Sequence, residues 1–450
     1  MEQAKTNRLF TNAALMALII PIMIEEIMLV MVGTVDTLMV AGAGEAAVSG
    51  ISLVDQLNRL LKHVFSAMAA GGTVVVSQYA GRKDYEQCRS TAIQLLWFVF
   101  GLALALGIII VCVSRPLLQL VYGNVEADVM DAAQIYFFMS GITFPFLGIY
   151  TVGASLFRAM GISKVSMYTS FVMNIVNIIG NATFIFGFKM GVFGAALSTL
   201  ISSAAAALFI AGLLLQRSYP ISIWGFWKPK FQKTTLLAVI RMGVPNGIEN
   251  SMFQLGKVLV NRLIASFGTA AIAANVVVNS IDSIVTIPSQ SISTAMVTVI
   301  GQSIGAKDKE GARYYIRKMM MIAYLGMVVM SAATYVIKPQ LIGMFHFSED
   351  VNKLASIVLN CFYITGIPFW PLSFTLPNAL RGAGDMRYTM LVSMTSMFLC
   401  RIVGAYLLGG YFGLGLLGVH MAMAVDWLFR GTCTIVRLRG DQWLNIKVID

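Results

Sequence analysis

The sequence predicts an all-α integral membrane protein of twelve transmembrane helices, in two six-helix lobes related by a parallel internal repeat. Three observations lead there. The 450 residues are 58% hydrophobic and only 12% charged, with a mean hydropathy of +0.78, whereas a soluble chain carries about 25% charge. Apolar stretches of the roughly 20 residues needed to cross a bilayer recur along the whole length, so no large soluble domain fits. The second half of the chain also restates the first after 223 or 224 residues.

In order, the spans are expected at 11–40, 48–79, 90–113, 131–156, 164–188, 193–216, 234–266, 271–303, 313–338, 353–380, 387–410 and 416–437. The first lacks a short apolar core followed by a small-residue cleavage site, so it reads as a retained helix rather than a signal peptide. The first, second, seventh and eighth are overlong and should tilt, bend or project from the bilayer. Pro21, Pro245 and Pro288 offer places to bend. The five cysteines form no Cys-x-x-Cys and no paired spacing, and His63, His346 and His420 are widely dispersed. Neither a disulfide framework nor a cofactor or transition-metal site is expected.

Lys and Arg set the orientation. With both termini inside, the cytoplasmic segments hold 23 of the 32 basic residues, the outer loops four, and the spans five. The net charge of +11 is therefore a topology signal, and nucleic acid is not an expected partner. The expected setting is the plasma membrane, with cytoplasmic termini, a lipid bilayer around the spans, and a monomeric state.

The repeat is specific. Gln78-Tyr79-Ala80-Gly81-Arg82-Lys83-Asp84 matches Gln302-Ser303-Ile304-Gly305-Ala306-Lys307-Asp308. Pro116 matches Pro339, and Pro145 matches Pro368. The segment Leu156–Gly161 matches Ala379–Gly384, and Gly191–Gly194 matches Gly415–Gly418. Six spans per half is an even number, so the halves share one orientation. The division is 1–216 for the first lobe, 217–233 for a cytoplasmic linker with Pro220, Trp224, Trp227 and Pro229, and 234–450 for the second lobe. Duplicated bundles with a path between them are the architecture of secondary transporters.

Polar residues inside the spans mark candidate sites. Asp36 lies in the apolar run Leu9–Val40, where a carboxylate costs about 2.5–3.5 kcal/mol even on the lenient insertion scale. Asn174, Asn177 and Asn181 in the fifth span and Thr199 in the sixth offer the neutral oxygens that a hard cation takes beside a carboxylate. Asn177 and Asn181 are four apart and stack on one face. The same asparagines suit interhelical hydrogen bonding. Glu25 precedes Asp36 by eleven residues, nearly on the same face. It sits either on the cytoplasmic side of a cavity or at the inner headgroup level.

The second span carries Ser52, Asp55, Gln56, Arg59, Lys62, His63 and Ser66. Asp55 and Arg59, four apart, either pair within the helix or line a cavity. Glu249, Asn250, Gln254, Lys257 and Asn261 stripe the seventh span; Asn275, Asn279, Asp282, Thr286, Gln290 and Ser293 stripe the eighth. Lipid does not accommodate such stripes, so they should face protein or water. Glu25, Asp55, Gln56, Glu249, Gln254, Asn279 and Asp282 are thus the candidate substrate-cavity residues.

Several motifs together resemble the multidrug and toxic compound extrusion (MATE) family over essentially the whole chain. They are Pro21 and Val35-Asp36-Thr37 in the first span, Gln78 with Gly81, Arg158 with Gly161, Asn177 through Gly187, and Leu380-Arg381-Gly382. The resemblance implies two lobes forming a V around a central cavity, and export driven by inward flow of Na⁺ or H⁺. It also implies a cation site at Asp36, Asn177, Asn181 and Thr199, with Asn174 one turn away. One branch of the family has Asp where this chain has Asn181. Some branches place an acid in the tenth span where Trp370 stands here, which leaves this chain more dependent on Asp36. Glu249 resembles the family's seventh-span acid, one turn nearer the proline.

The expected function is therefore cation-coupled antiport of amphipathic, often cationic organic compounds, with Na⁺ or H⁺ as the coupling ion. The oxygen set tilts the reading toward Na⁺, for which Asp36, Asn177, Asn181 and Thr199 would be the ligands. A flippase for a lipid-linked intermediate is the alternative of related fold, though it would favour a more cationic cavity. An intramembrane enzyme would need a nucleophile–base pair or a metal cluster, and neither is visible.

Overall fold

The computed structural model describes residues 8–42, 44–123, 125–227 and 231–449; the side chains of Thr34, Thr37 and Ala41 lie outside that description, as do Pro229 of the linker and the hydroxyl of Thr37 in the first-span motif. Among the described residues the chain is helical throughout, with no strand. In the first half, α1 is Asn12–Ala41, α2 Glu45–Gly81, α3 Tyr85–Tyr122, α4 Ala127–Ala159, α5 Ser163–Asn181 and α6 Gly191–Leu215. In the second, α7 is Lys233–Ser266, α8 Thr269–Gly305, α9 Lys309–Val336, α10 Lys338–Gly343, α11 Glu349–Trp370, α12 Pro377–Ala383, α13 Met386–Ser396 and α14 Gly415–Arg439.

All twelve expected spans form helices. Ten are long and apolar enough to cross a membrane among the described residues. The seventh and twelfth, α7 and α14, have 34 and 25 residues but are less apolar. They carry Glu249, Lys257 and Arg262, and Asp426, Arg430 and Arg437. The third span runs on to Tyr122 across a kink at Val113 (φ −124°, ψ 21°). Pro116 lies just beyond, and its ring and missing N–H disrupt the ladder toward Cys112. Pro21, Pro245 and Pro288 all lie inside helices.

The repeat seen in sequence is a repeat of local structure. Asp84 caps α3 by accepting from the Gln87 amide at 3.1 Å, and Asp308 caps α9 by accepting from Gly311 at 2.8 Å. The residue before each cap is a lysine with left-handed backbone, Lys83 (φ 61°) and Lys307 (φ 58°). Gly161 (φ 78°) and Gly384 (φ 98°) close the matching turns, a conformation that a Cβ would strain. The fifth span ends in a π-helical turn at Ala182–Gly187, and its counterpart ends in one at Tyr406–Tyr411.

Two compact units emerge: Ala13–Gly247, and Met1–Asn12 with Ile248–Asp450. Their boundary falls inside α7 just past Pro245, rather than in the 217–233 segment. The described residues of that segment pack onto the first unit. Trp97 donates to the Phe226 carbonyl at 2.8 Å, and the Gln232 amide to Gln94 at 2.8 Å. Residues 8–12 instead pack on α9, through Phe10 against Tyr315 and Arg8 3.7 Å over the Tyr314 ring. The core of the first unit includes the edge-to-face pair Phe65–Phe144. That of the second centres on Phe362, Trp427 and the Val277–Val278–Ile281 face of α8.

Candidate functional site

In the first unit, α1 and α5 bring Asp36 onto Asn181. The Asn181 Nδ2 donates to Asp36 Oδ1 at 2.5 Å and to Asn177 Oδ1 at 3.3 Å. Asn181 is fully buried, and its own Oδ1 has no hydrogen-bond partner. A buried amide oxygen without a partner costs about 1–3 kcal/mol, so this carbonyl is poised for a ligand. The π-turn begins immediately after Asn181, and such widened turns occur often at functional positions.

The sixth helix holds this arrangement from behind. Ser198 donates to the Asn177 carbonyl at 2.7 Å. Gly180 faces Ser198 so closely that a Cβ there would collide with its Oγ. Small residues allow this approach of helices in a membrane. Thr199 is less direct. Its hydroxyl donates to the Ala195 carbonyl at 3.0 Å and shares a hydrogen bond with Tyr136 of α4. Asn174, one turn before Asn177, has a buried Nδ2 without a partner. One carboxylate with neutral oxygens suits a hard cation, and the carboxylate alone suits a proton.

The acids expected along a cavity separate into two groups. Glu25 and Glu249 are buried against arginines. Arg158 Nη1 lies 3.2 Å from Glu25, and Ser166 donates to the same carboxylate at 2.8 Å. Arg381 Nη2 lies 2.7 Å from Glu249 and its Nη1 donates to Asn378 at 3.1 Å. The sequence separations are 133 and 132 residues, so these are one ion pair made twice by the repeat. Burial without a partner would be prohibitive for either carboxylate. This pairing, rather than an open face, is where the structure places both.

The other two acids, Asp55 and Asp282, have no such arginine ion pair among the described residues. Asp55 is half-buried and makes no ion pair with Arg59 among the described residues; Lys62, Arg59 and Asp36 act on it only through space. Gln56 and Asn279 are exposed, and Gln254 is half-buried. Asp282 keeps a buried Oδ1 without a hydrogen-bond partner. Trp370 packs against Phe374 with ring centroids 4.8 Å apart and the rings tilted by 33°.

Three groupings were not anticipated from sequence. Tyr136 reaches Thr199, and nothing in its local sequence marks it. Ser166 completes the Glu25–Arg158 pair. Its signal was available, since Arg158 and Arg381 both belong to the repeat motifs and Glu25 and Glu249 share the same offset. The third is a triad in the second unit: Arg401 Nη2 lies 2.7 Å and Arg430 Nη2 3.3 Å from Asp426, with all three side chains at most 4% exposed.

The MatE family model matches residues 21–183 and again 245–407. The chain is 28% identical over 438 residues to "Uncharacterized transporter YisQ" of Bacillus subtilis, covering 96% of this chain and 95% of that one. It is 26% identical to "Probable multidrug resistance protein NorM" of Thermotoga maritima, covering 97% and 94%. A solved structure described as an outward-facing conformation of a multidrug resistance MATE family transporter superposes with a TM-score of 0.88 at 19% identity, covering 95% of each chain.

Proposed function

This chain belongs to the MatE family of multidrug efflux transporters, and we propose that it is a cation-coupled antiporter exporting amphipathic, often cationic organic compounds by alternating access. Na⁺ or H⁺ entering through Asp36 drives the cycle. The reading rests on one observation: the Asp36 carboxylate meets Asn181, whose buried Oδ1 has no partner of its own. Na⁺ would take Asp36 and the Asn181 and Asn177 oxygens; the Thr199 hydroxyl turns toward its own helix and completes the set only by rotating. A proton would take Asp36 alone. Either ion carries one charge inward, worth about 2.3 kcal/mol per 100 mV of membrane potential in addition to its concentration gradient. The protein acts as a monomer in the plasma membrane, with both termini cytoplasmic, as a transporter and not as an enzyme.

The test is efflux of a cationic dye from proteoliposomes under separate Na⁺ and pH gradients. Wild-type protein should respond to at least one gradient, and Asp36→Asn should respond to neither while inserting and eluting normally. Undiminished gradient-driven efflux by the variant would remove Asp36 from the mechanism.

A further inference from the structure

The repeat allows the cation site to be compared with its own counterpart. Pro21 and Pro245, and the π-turns at Ala182–Gly187 and Tyr406–Tyr411, fix the offset at 224. At that offset Asp36 corresponds to Val260, Asn177 to Arg401, Asn181 to Ala405 and Thr199 to Met423. The second unit has lost the carboxylate and both amides, and carries a guanidinium where the first carries an amide. The electrostatic character of the position is inverted.

Around this guanidinium the second unit gathers further positive charge. The Phe253 ring of α7 is approached by Arg401 at 4.9 Å, Lys257 at 5.2 Å and Arg430 at 5.5 Å from its centroid. Among the described residues only Asp426 opposes them. Its Oδ2 is taken by Arg401 at 2.7 Å and its Oδ1 by Arg430 at 3.3 Å. One carboxylate faces three cations, so positive charge is in excess. Arg401 and Arg430 are buried and fixed. Lys257 is exposed, and among the described residues no carboxylate pairs with it.

Lys257 shares a helical stripe with Asn250, Gln254 and Asn261, at spacings of four, three and four residues. A stripe of that polarity on a membrane helix borders water or protein rather than hydrocarbon. An ammonium on such a face, backed by buried guanidinia and a ring, is a site for an anion. The flat ring beside it suits an aromatic body.

We propose that Lys257, with Phe253 and the buried Arg401–Arg430 pair behind it, is an anion-binding subsite of the second unit that takes the carboxylate of amphipathic aromatic solutes. The proposal rests on the transporter reading and deepens it: Lys257 sets the apparent affinity for solutes that carry a carboxylate beside their amine. Lys257 supplies the contact, while Arg401 and Arg430 supply fixed potential. A charge-assisted contact of this kind corresponds to about tenfold or more in apparent affinity.

The test compares a fluorescent aromatic amine bearing a free carboxylate with its methyl ester, using the full chain in phosphatidylcholine proteoliposomes. Lys257→Gln should raise the KM for the carboxylate probe about tenfold and leave the ester within about twofold; Lys257→Arg should behave like wild type. Binding of the same two probes to purified protein in detergent should show the same split, without requiring transport. Equal loss for both probes, or loss for neither, overturns the proposal. So does a dependence on phosphatidylglycerol that disappears in Lys257→Gln for both probes alike, since the lysine then serves a lipid phosphate. Wild-type export of the ester but not of the carboxylate overturns this subsite and leaves the efflux reading standing. Export of neither under any gradient refutes efflux itself, and the binding comparison then decides the subsite.

Discussion

Replacing Asp426 by Asn removes the carboxylate shared by two buried guanidinia. Asp426 is completely inaccessible, and Arg401 and Arg430 are 3% and 4% exposed at the side chain. The Asn amide keeps an acceptor for one arginine but no negative charge for either. Breaking one buried pair by removing a partner costs about 3–5 kcal/mol, because the remaining charge is left uncompensated. Two charges are left here, so about 3 kcal/mol is the lower bound. For a unit of about 200 residues, each kcal/mol shifts the melting temperature by roughly 2–4 °C. Asp426→Asn should therefore lower the melting temperature by at least about 6 °C, read by the loss of the monodisperse peak after heating in detergent. The control is Glu349→Gln, which breaks the exposed Lys353–Glu349 pair at 2.9 Å; it should shift melting by less than about 2 °C, since exposed pairs contribute about 0–1 kcal/mol. Replacing all three members by Met or Leu should recover much of the loss, because the penalty lies in unpaired charge rather than in the missing bonds. A melting temperature for Asp426→Asn within about 2 °C of wild type would refute the reasoning.

Further outcomes follow from the other contacts. Glu25→Gln and Arg158→Gln should each destabilise by about 3 kcal/mol, and the double variant by less than their sum, measured as a double-mutant cycle on thermal melts. Gly180→Leu should abolish Na⁺-dependent changes in intrinsic fluorescence, because even a Cβ collides with the Ser198 hydroxyl; retention of the response would show that α5 and α6 need not approach so closely. Asn181→Ala should weaken Na⁺ binding about tenfold or more by calorimetry while leaving efflux driven by a pH gradient, since a proton needs only Asp36. Na⁺ affinity in wild type should fall as pH falls, because protonation removes the charge that holds Na⁺. A pH-independent affinity would place Na⁺ elsewhere.

The comparison of the two halves shows where sequence reasoning ends. Asp36 and Asn181 are 145 residues apart, yet each was legible alone. Polar atoms within a bilayer need a reason to be there, and the fifth helix stacks its asparagines at a fixed spacing. Glu25 and Glu249 were just as conspicuous, but their partners were not. An acid in a span reads the same whether it lines water or meets an arginine, and only the fold brings Arg158 and Arg381 alongside. Thr199 was singled out by its oxygen, while the direction of that oxygen, toward Ala195 and Tyr136, depends on the rotamer that α4 and α6 permit.

By itself the sequence determined the helical membrane class, the duplication and its turn chemistry, and the family resemblance. Hydropathy, caps such as Asp84 and Asp308, and left-handed turns are local or periodic, and so can be read along the chain. Tertiary structure alone decided which charges are neutralised and which are left over: Asp426 shared between two arginines, Asn181 with an idle oxygen, Lys257 with no acid paired to it among the described residues. Charge balance in a low-dielectric interior depends on distances of a few ångströms between helices far apart in sequence, and no periodicity along one strand of sequence encodes those distances.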